Sequence, residues 1–186
     1  MSLDLPKNLL EQIEPDEKII DDLKTTTVTS KPDYIVLTNT RIIYFNEKHL
    51  GRYEFTVIPF SKLQTMRAER GLMFFGGISF VNESGEEISL NWIPKKEIEP
   101  FIESLEDAMN SVAVEPISIK RDKGIGSKMK WQFDKPPELI FRSQNDFRSH
   151  KTEGDPLNEL KLRYARGEIT EDEYNKMRKF LESNTS

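Results

Sequence analysis

Residues of the types used in catalysis are few and scattered along this sequence. The two histidines, His49 and His150, have no acidic residues at the spacing of a proton relay or a metal site. The chain has no cysteine, which excludes disulfides and thiolate ligands. Paired carboxylates at 21–22 and 86–87 lie beside expected turns or strand ends, where acids are usually solvated. The sequence therefore predicts no catalytic residue, no metal site and no cofactor.

A glycine-rich segment, G-L-M-F-F-G-G from Gly71 to Gly77, could suggest a phosphate-binding loop. It lacks the Lys-Ser/Thr ending of such a loop, and no helix is expected directly after it. Bends or bulges in a curved sheet explain these glycines better. An enzyme with an unrecognised pocket is the third-ranked hypothesis, and it requires a cleft that holds perturbed ionisable groups.

One stretch concentrates cations beside an aromatic side chain. Its members are Lys120, Arg121, Lys123, Lys128, Lys130 and Trp131. They lie in the only net basic part of a chain whose net charge is -5. Each clustered cation contributes about 1 kcal/mol near anionic lipid, and an adjacent tryptophan suits a membrane interface. The stretch is a candidate contact for an anionic surface, and a solvated linker is the alternative.

The last thirty or so residues carry apolar side chains at helical spacing. They are Leu157, Leu160, Tyr164, Ile169, Tyr174, Met177 and Leu181. Gly167 interrupts the pattern, and Thr170 with Glu173 forms a capping box that starts a second helix. Two helices of roughly 11 residues each are marginal without tertiary contacts. The hairpin therefore needs further contacts, either with another copy of the chain in a homo-oligomer or with its own chain.

The net charge and the lack of long apolar runs argue against several classes of protein. A net charge of -5 and a pI near 5.3 argue against a nucleic-acid partner. No segment approaches the roughly 20 apolar residues that span a bilayer, and residues 1–13 lack the apolar run of a signal peptide. The expected location is the cytoplasm, with attachment to the cytoplasmic face of the membrane as the alternative.

Strand-forming chemistry fills the first half of the chain. Asp33 to Leu37 and Arg41 to Asn46 are rich in β-branched and aromatic residues, and Thr38-Asn39-Thr40 between them suits a hairpin turn. Five more strands are predicted, within 17–28 and at 53–58, 62–70, 73–81 and 86–92. The apolar period then becomes helical from Lys95 to Asn110. The pattern predicts a mainly β (α+β) fold, in which a helix closes one end of a curved antiparallel sheet or split barrel.

The pattern L-T-N-T-R-I-I-Y-F from Leu37 to Phe45, then I-P-F-S-K-L at 58–63, resembles the bacterial PH-like domains. The resemblance implies a seven-stranded split barrel capped by a C-terminal helix, over residues 9–112. The tail, 155–183, resembles the short C-terminal oligomerisation domain of prokaryotic proteins, which implies self-association or partner docking and no catalytic residue. A basic, partly ordered linker is expected at 113–154, and part of it is expected to pack on the sheet domain or on a neighbouring subunit.

We therefore expect a non-enzymatic interaction or scaffolding protein, a PH-like binding module oligomerised through its tail and able to bind a protein partner. The alternative is a peripheral protein on anionic membranes, for example in envelope stress. Eukaryotic domains of this fold hold phosphoinositides with several cations around the first hairpin, whereas the loop 25–33 offers Lys31 alone. Arg67 and Arg70, on either side of Glu69, suggest either a small anion site or a cross-strand charge pair.

Overall fold

Two antiparallel sheets and one long helix form the part of the chain that the computed structural model describes. The described residues are 5–27, 31–48 and 52–142, together with Arg178. The chain divides into two units, residues 1–141 and 142–186. All seven residues predicted to carry oligomerisation lie in the second unit, outside the described residues.

Each sheet is built mainly from strands that follow one another in the chain. The first sheet has the order β1-β2-β3-β4, with β1 at Ile19–Lys24, β2 at Asp33–Thr38, β3 at Arg41–Glu47 and β4 at Tyr53–Pro59. The second has the order β7-β6-β5-β9-β8, with β5 at Leu63–Arg70, β6 at Phe75–Asn82, β7 at Glu87–Pro94, β8 at Lys120–Lys123 and β9 at Met129–Asp134. Helix α1 is Lys7–Leu10 and helix α2 is Lys95–Val112. The described chain therefore has nine strands, seven of them before α2.

Helix α2 closes the main core between the two sheets. Its apolar residues recur at the predicted helical spacing, and Ile98, Phe101, Ile102, Leu105 and Met109 are all buried. The same core contains inward-facing side chains of both sheets. The predicted mainly β fold, with a helix after the strands, is confirmed.

The first sheet is buried on both faces. Its outer face forms a second apolar cluster, in which Tyr34, Val36, Ile43 and Phe45 pack against Leu5 and Leu9 of the N-terminal segment. Five of the six residues of β2 are buried. Burial on both faces explains why β2 and β3 read as almost continuous apolar runs.

Part of the segment expected to be a linker belongs to the second sheet. Strand β9 pairs with β5 along its full length, and β8 pairs with β9 as the edge strand. The side chains of Trp131 and Phe133 are buried, Gln132 between them is half-buried, and Lys130 and Asp134 on either side are exposed. This alternation of period two is the sequence signal for β9. All four residues of β8 are exposed and charged, which is typical of an edge strand protected from pairing with another chain.

Gly76 lies where β6 passes under α2, and replacing it should cost stability. A Cβ atom there would overlap the carbonyl oxygen of Glu69 and lie 2.5 Å from Cδ1 of Ile98. We expect Gly76→Ala to lower the free energy of unfolding by about 2–3 kcal/mol, because a packed core must then move. Urea unfolding measures the loss.

The neighbouring glycine supplies the control for this prediction. A Cβ atom at Gly77 would lie 2.6 Å from Oδ1 of Asn91 and 3.0 Å from the Leu90 carbonyl oxygen. The Asn91 amide is the end of an exposed side chain that can turn away. Gly77→Ala should therefore cost less than Gly76→Ala, and the reverse order would contradict this account of the packing.

Candidate interaction surfaces

The T-N-T-R turn between β2 and β3 is a structural element. Oγ1 of Thr38 accepts hydrogen bonds from the backbone N–H groups of Thr40 at 3.3 Å and Arg41 at 3.1 Å. Oδ1 of Asn39 accepts from the Lys18 N–H at 2.9 Å, and the Asn39 N–H donates to the Lys18 carbonyl at 3.0 Å. The turn is thereby closed and tied to the segment that leads into β1.

Arg41 fixes the same segment through a bidentate ion pair. Its Nε and Nη2 donate to the Glu17 carboxylate at 2.7 and 2.6 Å, and Nη2 also donates to the Gln12 carbonyl at 3.1 Å. Burial alone would raise the pKa of Glu17, but hydrogen bonds from Arg41 and Thr38 outweigh it and place that pKa below its ordinary value. The guanidinium thus holds the N-terminal segment on the first sheet.

An open cleft of about 850 Å³ lies at the loop end of the first sheet. Its described lining residues are Lys31, Asp33, Asn46, Glu47, Lys48, Arg52, Tyr53 and Glu54. Acids balance the cations among them, since Lys31 pairs with Glu47 at 2.5 Å and Lys48 pairs with Glu54 at 3.2 Å. A polyphosphorylated headgroup would have to break these pairs, so the described part of the cleft does not favour one.

Arg67 and Arg70 form separate ion pairs. The guanidinium of Arg67 contacts the Asp134 carboxylate at 2.6 Å, and that of Arg70 contacts the Glu99 carboxylate at 2.8 Å. Hydrogen bonds from Gln132 and Arg67 lower the pKa of Asp134. Charge pairing, with partners other than Glu69, therefore accounts for both arginines without an anion site.

The predicted basic stretch is divided between two environments. Arg121 turns towards α2 and pairs with Glu106 at 2.6 Å, while Lys130 lies opposite Asp122 in the β8–β9 register. Trp131 is 1% exposed, so its assignment to an anionic-surface contact is wrong: its position in β9 directs the ring into the core. Lys120, Lys123 and Lys128 are exposed.

A surface that the sequence did not predict lies at one end of the second sheet. Its large apolar side chains are exposed by half or more: Leu72 52%, Met73 73%, Phe74 69%, Trp92 66% and Ile125 88%. We call these five residues the apolar tip. The apolar residues Leu72, Met73 and Phe74 within the glycine-rich turn were the sign of this surface in the sequence. Bends in a curved sheet explain the glycines there, but they do not explain exposed apolar side chains.

The adjacent carboxylates of Asp21 and Asp22 lie near helix α2. Oδ2 of Asp21 accepts from Oγ of Ser104 on α2 at 2.9 Å. Burial, followed by repulsion from Asp21 and Glu97, raises the pKa of Asp22. Within residues 5–27, 31–48 and 52–142 no three potential metal ligands come together. His49 and His150 lie outside the described residues.

Comparison with known proteins assigns the fold to a family. The family model described as bacterial PH domain matches residues 13–107, just over half of the 186 residues. The chain belongs to the bacterial PH domain family. The PH domain thus includes the T-N-T-R turn and most of α2, and strands β8 and β9 lie beyond the matched residues.

Two further comparisons describe the rest of the chain. The family model described as short C-terminal domain matches residues 155–179, which confirms the resemblance of the tail. An uncharacterized protein of Archaeoglobus fulgidus is 37% identical to this PH-domain chain over 187 aligned positions, which cover 96% of each protein. Among the described helices, none is both long enough and apolar enough to cross a bilayer.

Proposed function

We propose that this PH-domain protein is a non-enzymatic interaction scaffold, assembled into a homo-oligomer by its short C-terminal domain. The observation that carries the proposal is the pairing of the two family matches in one chain, at 13–107 and 155–179. Both families are non-catalytic modules, and the second is often linked to oligomerisation. The physical argument is that the two short helices predicted for the C-terminal domain are marginal without tertiary contacts, so their apolar side chains need a partner.

Assembly gives the PH domain a use for weak binding. Linking several copies raises the effective concentration of each further contact once the first has formed. An oligomer can therefore hold a protein partner that a single PH domain binds poorly. The charge-balanced cleft at the loop end of the first sheet agrees with binding of this modest kind.

Point variants in the full chain test the assembly. Tyr164→Ala and Leu181→Ala should each lower the solution mass measured by light scattering, because each removes a large apolar side chain from the helical stripe. Circular dichroism should show an unchanged β domain. Glu159→Ala, on the opposite side of the predicted first helix, is the matched control and should keep the native mass. If the Tyr164 and Leu181 variants also keep that mass, the tail does not assemble the chain.

A further inference from the structure

The residues of the apolar tip lie on neighbouring loops at one end of the second sheet. Strand β5 ends, β6 begins, β7 ends and the β8–β9 loop turns at this same end of the second sheet. Oγ of Ser127 donates to the Leu72 carbonyl at 3.1 Å, and Leu72 Cδ2 lies 3.2 Å from where a Cβ on Gly126 would be. The rings of Phe75 and Trp92 meet edge to face at 5.7 Å. The loops therefore present their apolar side chains together.

Arg70 connects the elements that meet at this end of the second sheet. Its Nε donates to the Ser127 carbonyl at 3.0 Å, and its Nη1 donates to the Glu99 carboxylate at 2.8 Å. Its guanidinium carbon lies 5.9 Å from the centre of the buried Trp131 ring. One side chain thus joins the β8–β9 loop to β5 and α2. These contacts fix the position of the β8–β9 loop relative to the strands that carry the other exposed apolar residues.

Trp92 is held outward by a strained backbone. Its φ is 61°, and it is the only non-glycine residue with a positive φ among the described residues. It lies in a bulge of β7 opposite Gly77, and its carbonyl accepts from the Thr26 N–H at 3.0 Å. Such strain in a bulky residue persists only where the surroundings enforce it, and it concentrates at binding sites. Here its result is a large aromatic ring that is 66% exposed.

Cations surround the apolar tip. Lys123 and Lys128 stand on either side of Ile125, while Lys95 and Lys96 follow Trp92 at the start of α2. In the described part of the chain, none of these four lysines forms an ion pair. Among the nearby acids, Glu99 pairs with Arg70 and Asp122 lies opposite Lys130, whereas the carboxylate of Glu97 repels that of Asp22. The tip is thus apolar at its centre and basic at its margin.

We propose that the apolar tip docks on the surface of an anionic lipid bilayer, with its five apolar side chains at the acyl boundary and its lysines among the headgroups. Tryptophan and large aliphatic residues favour that depth, and cations at the margin favour anionic lipid. Ile125 is 88% exposed between two glycines, so it protrudes from the loop. A bilayer accepts a protruding side chain without a matching pocket, whereas a protein partner would need one. The docking does not depend on the proposed oligomer, which would only increase its avidity.

The two tryptophans of the chain allow a direct test with the full-length protein. We expect vesicles of phosphatidylcholine mixed with phosphatidylglycerol to shift the emission of Trp92 to the blue, and brominated lipid to quench it. Vesicles of phosphatidylcholine alone should have a much smaller effect. Trp92→Phe leaves only the buried Trp131 and should abolish both signals, even where some protein still co-sediments.

Matched pairs of variants distinguish binding through the apolar tip from non-specific adsorption to the vesicles. Phe74→Ser with Ile125→Ser should weaken co-sedimentation about tenfold or more, because the bilayer then buries far less apolar surface. Val114→Ser with Ile140→Ser removes exposed apolar side chains elsewhere and should leave binding unchanged.

Lys123→Gln with Lys128→Gln should weaken binding severalfold and reduce its salt dependence. The charge control is Lys18→Gln with Lys62→Gln, which changes exposed lysines that precede β1 and β5 and should have no effect.

Urea unfolding and light scattering on each variant confirm an unchanged fold and mass. Failure of the wild-type protein to bind mixed vesicles would overturn the proposal, as would equal losses in the test and control pairs. A lower solution mass for the Phe74/Ile125 variant would also overturn it, by assigning the tip to a contact between copies. None of these outcomes depends on the tail variants that test the assembly.

Discussion

A chain that ends at Val112 should fail to fold, whereas one that ends at Arg142 should unfold cooperatively. The shorter chain keeps the seven strands and the helix that the family resemblance implied, but it loses the apolar side chains that complete the core. Those side chains are Ile117, Ile119, Trp131, Phe133 and Leu139, all at most 8% exposed. At about 1.5–3 kcal/mol each, their burial is comparable with the whole stability of a domain, about 5–15 kcal/mol.

The cut also leaves the backbone of β5 without its partner strand β9. Circular dichroism and urea unfolding of the two shortened chains measure the difference. In the full chain, Trp131→Ala should cost about 3–5 kcal/mol, because the ring is buried. Trp92→Ala is the matched control, and it should cost less than 1 kcal/mol because Trp92 is largely exposed. Cooperative unfolding of the chain that ends at Val112 would show that the domain folds without β8 and β9 and would contradict this prediction.

Replacing Arg41 should have the largest effect of any change at the hairpin turn. Arg41→Met removes the partner of Glu17, whose side chain is only 3% exposed, and leaves a buried carboxylate without its counter-charge. We expect a loss of about 3 kcal/mol at neutral pH. Glu14→Gln is the matched control: this half-exposed carboxylate lies 3.7 Å from the same guanidinium and should contribute less than about 1 kcal/mol.

The pH dependence gives this prediction a distinctive sign. The pKa of Glu17 in the folded protein lies below its ordinary value of 4.5, so the ion pair stabilises the fold above that pH. Its contribution is lost as the pH falls through the folded-state pKa. In Arg41→Met, burial without the counter-charge raises the pKa of Glu17, so the cost of the substitution should shrink on acidification. Urea unfolding near neutral pH and at about pH 4 compares the two proteins. A cost that stays constant between these conditions would contradict the role assigned to Glu17.

Strand positions could be predicted from the sequence because local chemistry and tertiary environment agree there. The alternation of Ile88 and Leu90 with Ser89 places β7, and the helical period from Ile98 to Met109 places α2. Thr38 and Asn39 were recognised as a turn, and the structure gives each a defined hydrogen-bonding role. Local signals of this kind are short in range and need no knowledge of distant partners.

The position of β9 was harder to predict because its partner is distant in the sequence. Strand β9 pairs with β5, about sixty residues earlier, across the whole of α2. Pro, Gly and charge around Trp131 indicated a linker, and the short alternation within Met129–Asp134 was the only local sign of a strand. The pairing of Arg41 with Glu17 likewise joins residues 24 positions apart. Contacts of this length follow from the fold and not from spacing.

The apolar tip shows why a surface is harder to predict than a core. Leu72, Met73 and Phe74 have the composition of core residues, and only the loop geometry reveals that they face solvent. Trp131 illustrates the opposite error. It follows several lysines in the sequence, but its position in β9 directs it inward. Burial of a side chain in a strand depends on which face it occupies, which a cluster of charges does not determine.

The most direct measurement is the solution mass, by light scattering, of the full chain beside a chain that ends at Arg142. The scaffold proposal predicts an oligomer for the full chain and a folded monomer for the shortened one. Six of the seven residues proposed to assemble the chain lie within the short C-terminal domain matched at 155–179, and the seventh, Leu181, follows it closely. A monomeric full chain would contradict it. Equal oligomers from both chains would contradict it too, because the contacts between copies would then lie within residues 1–142.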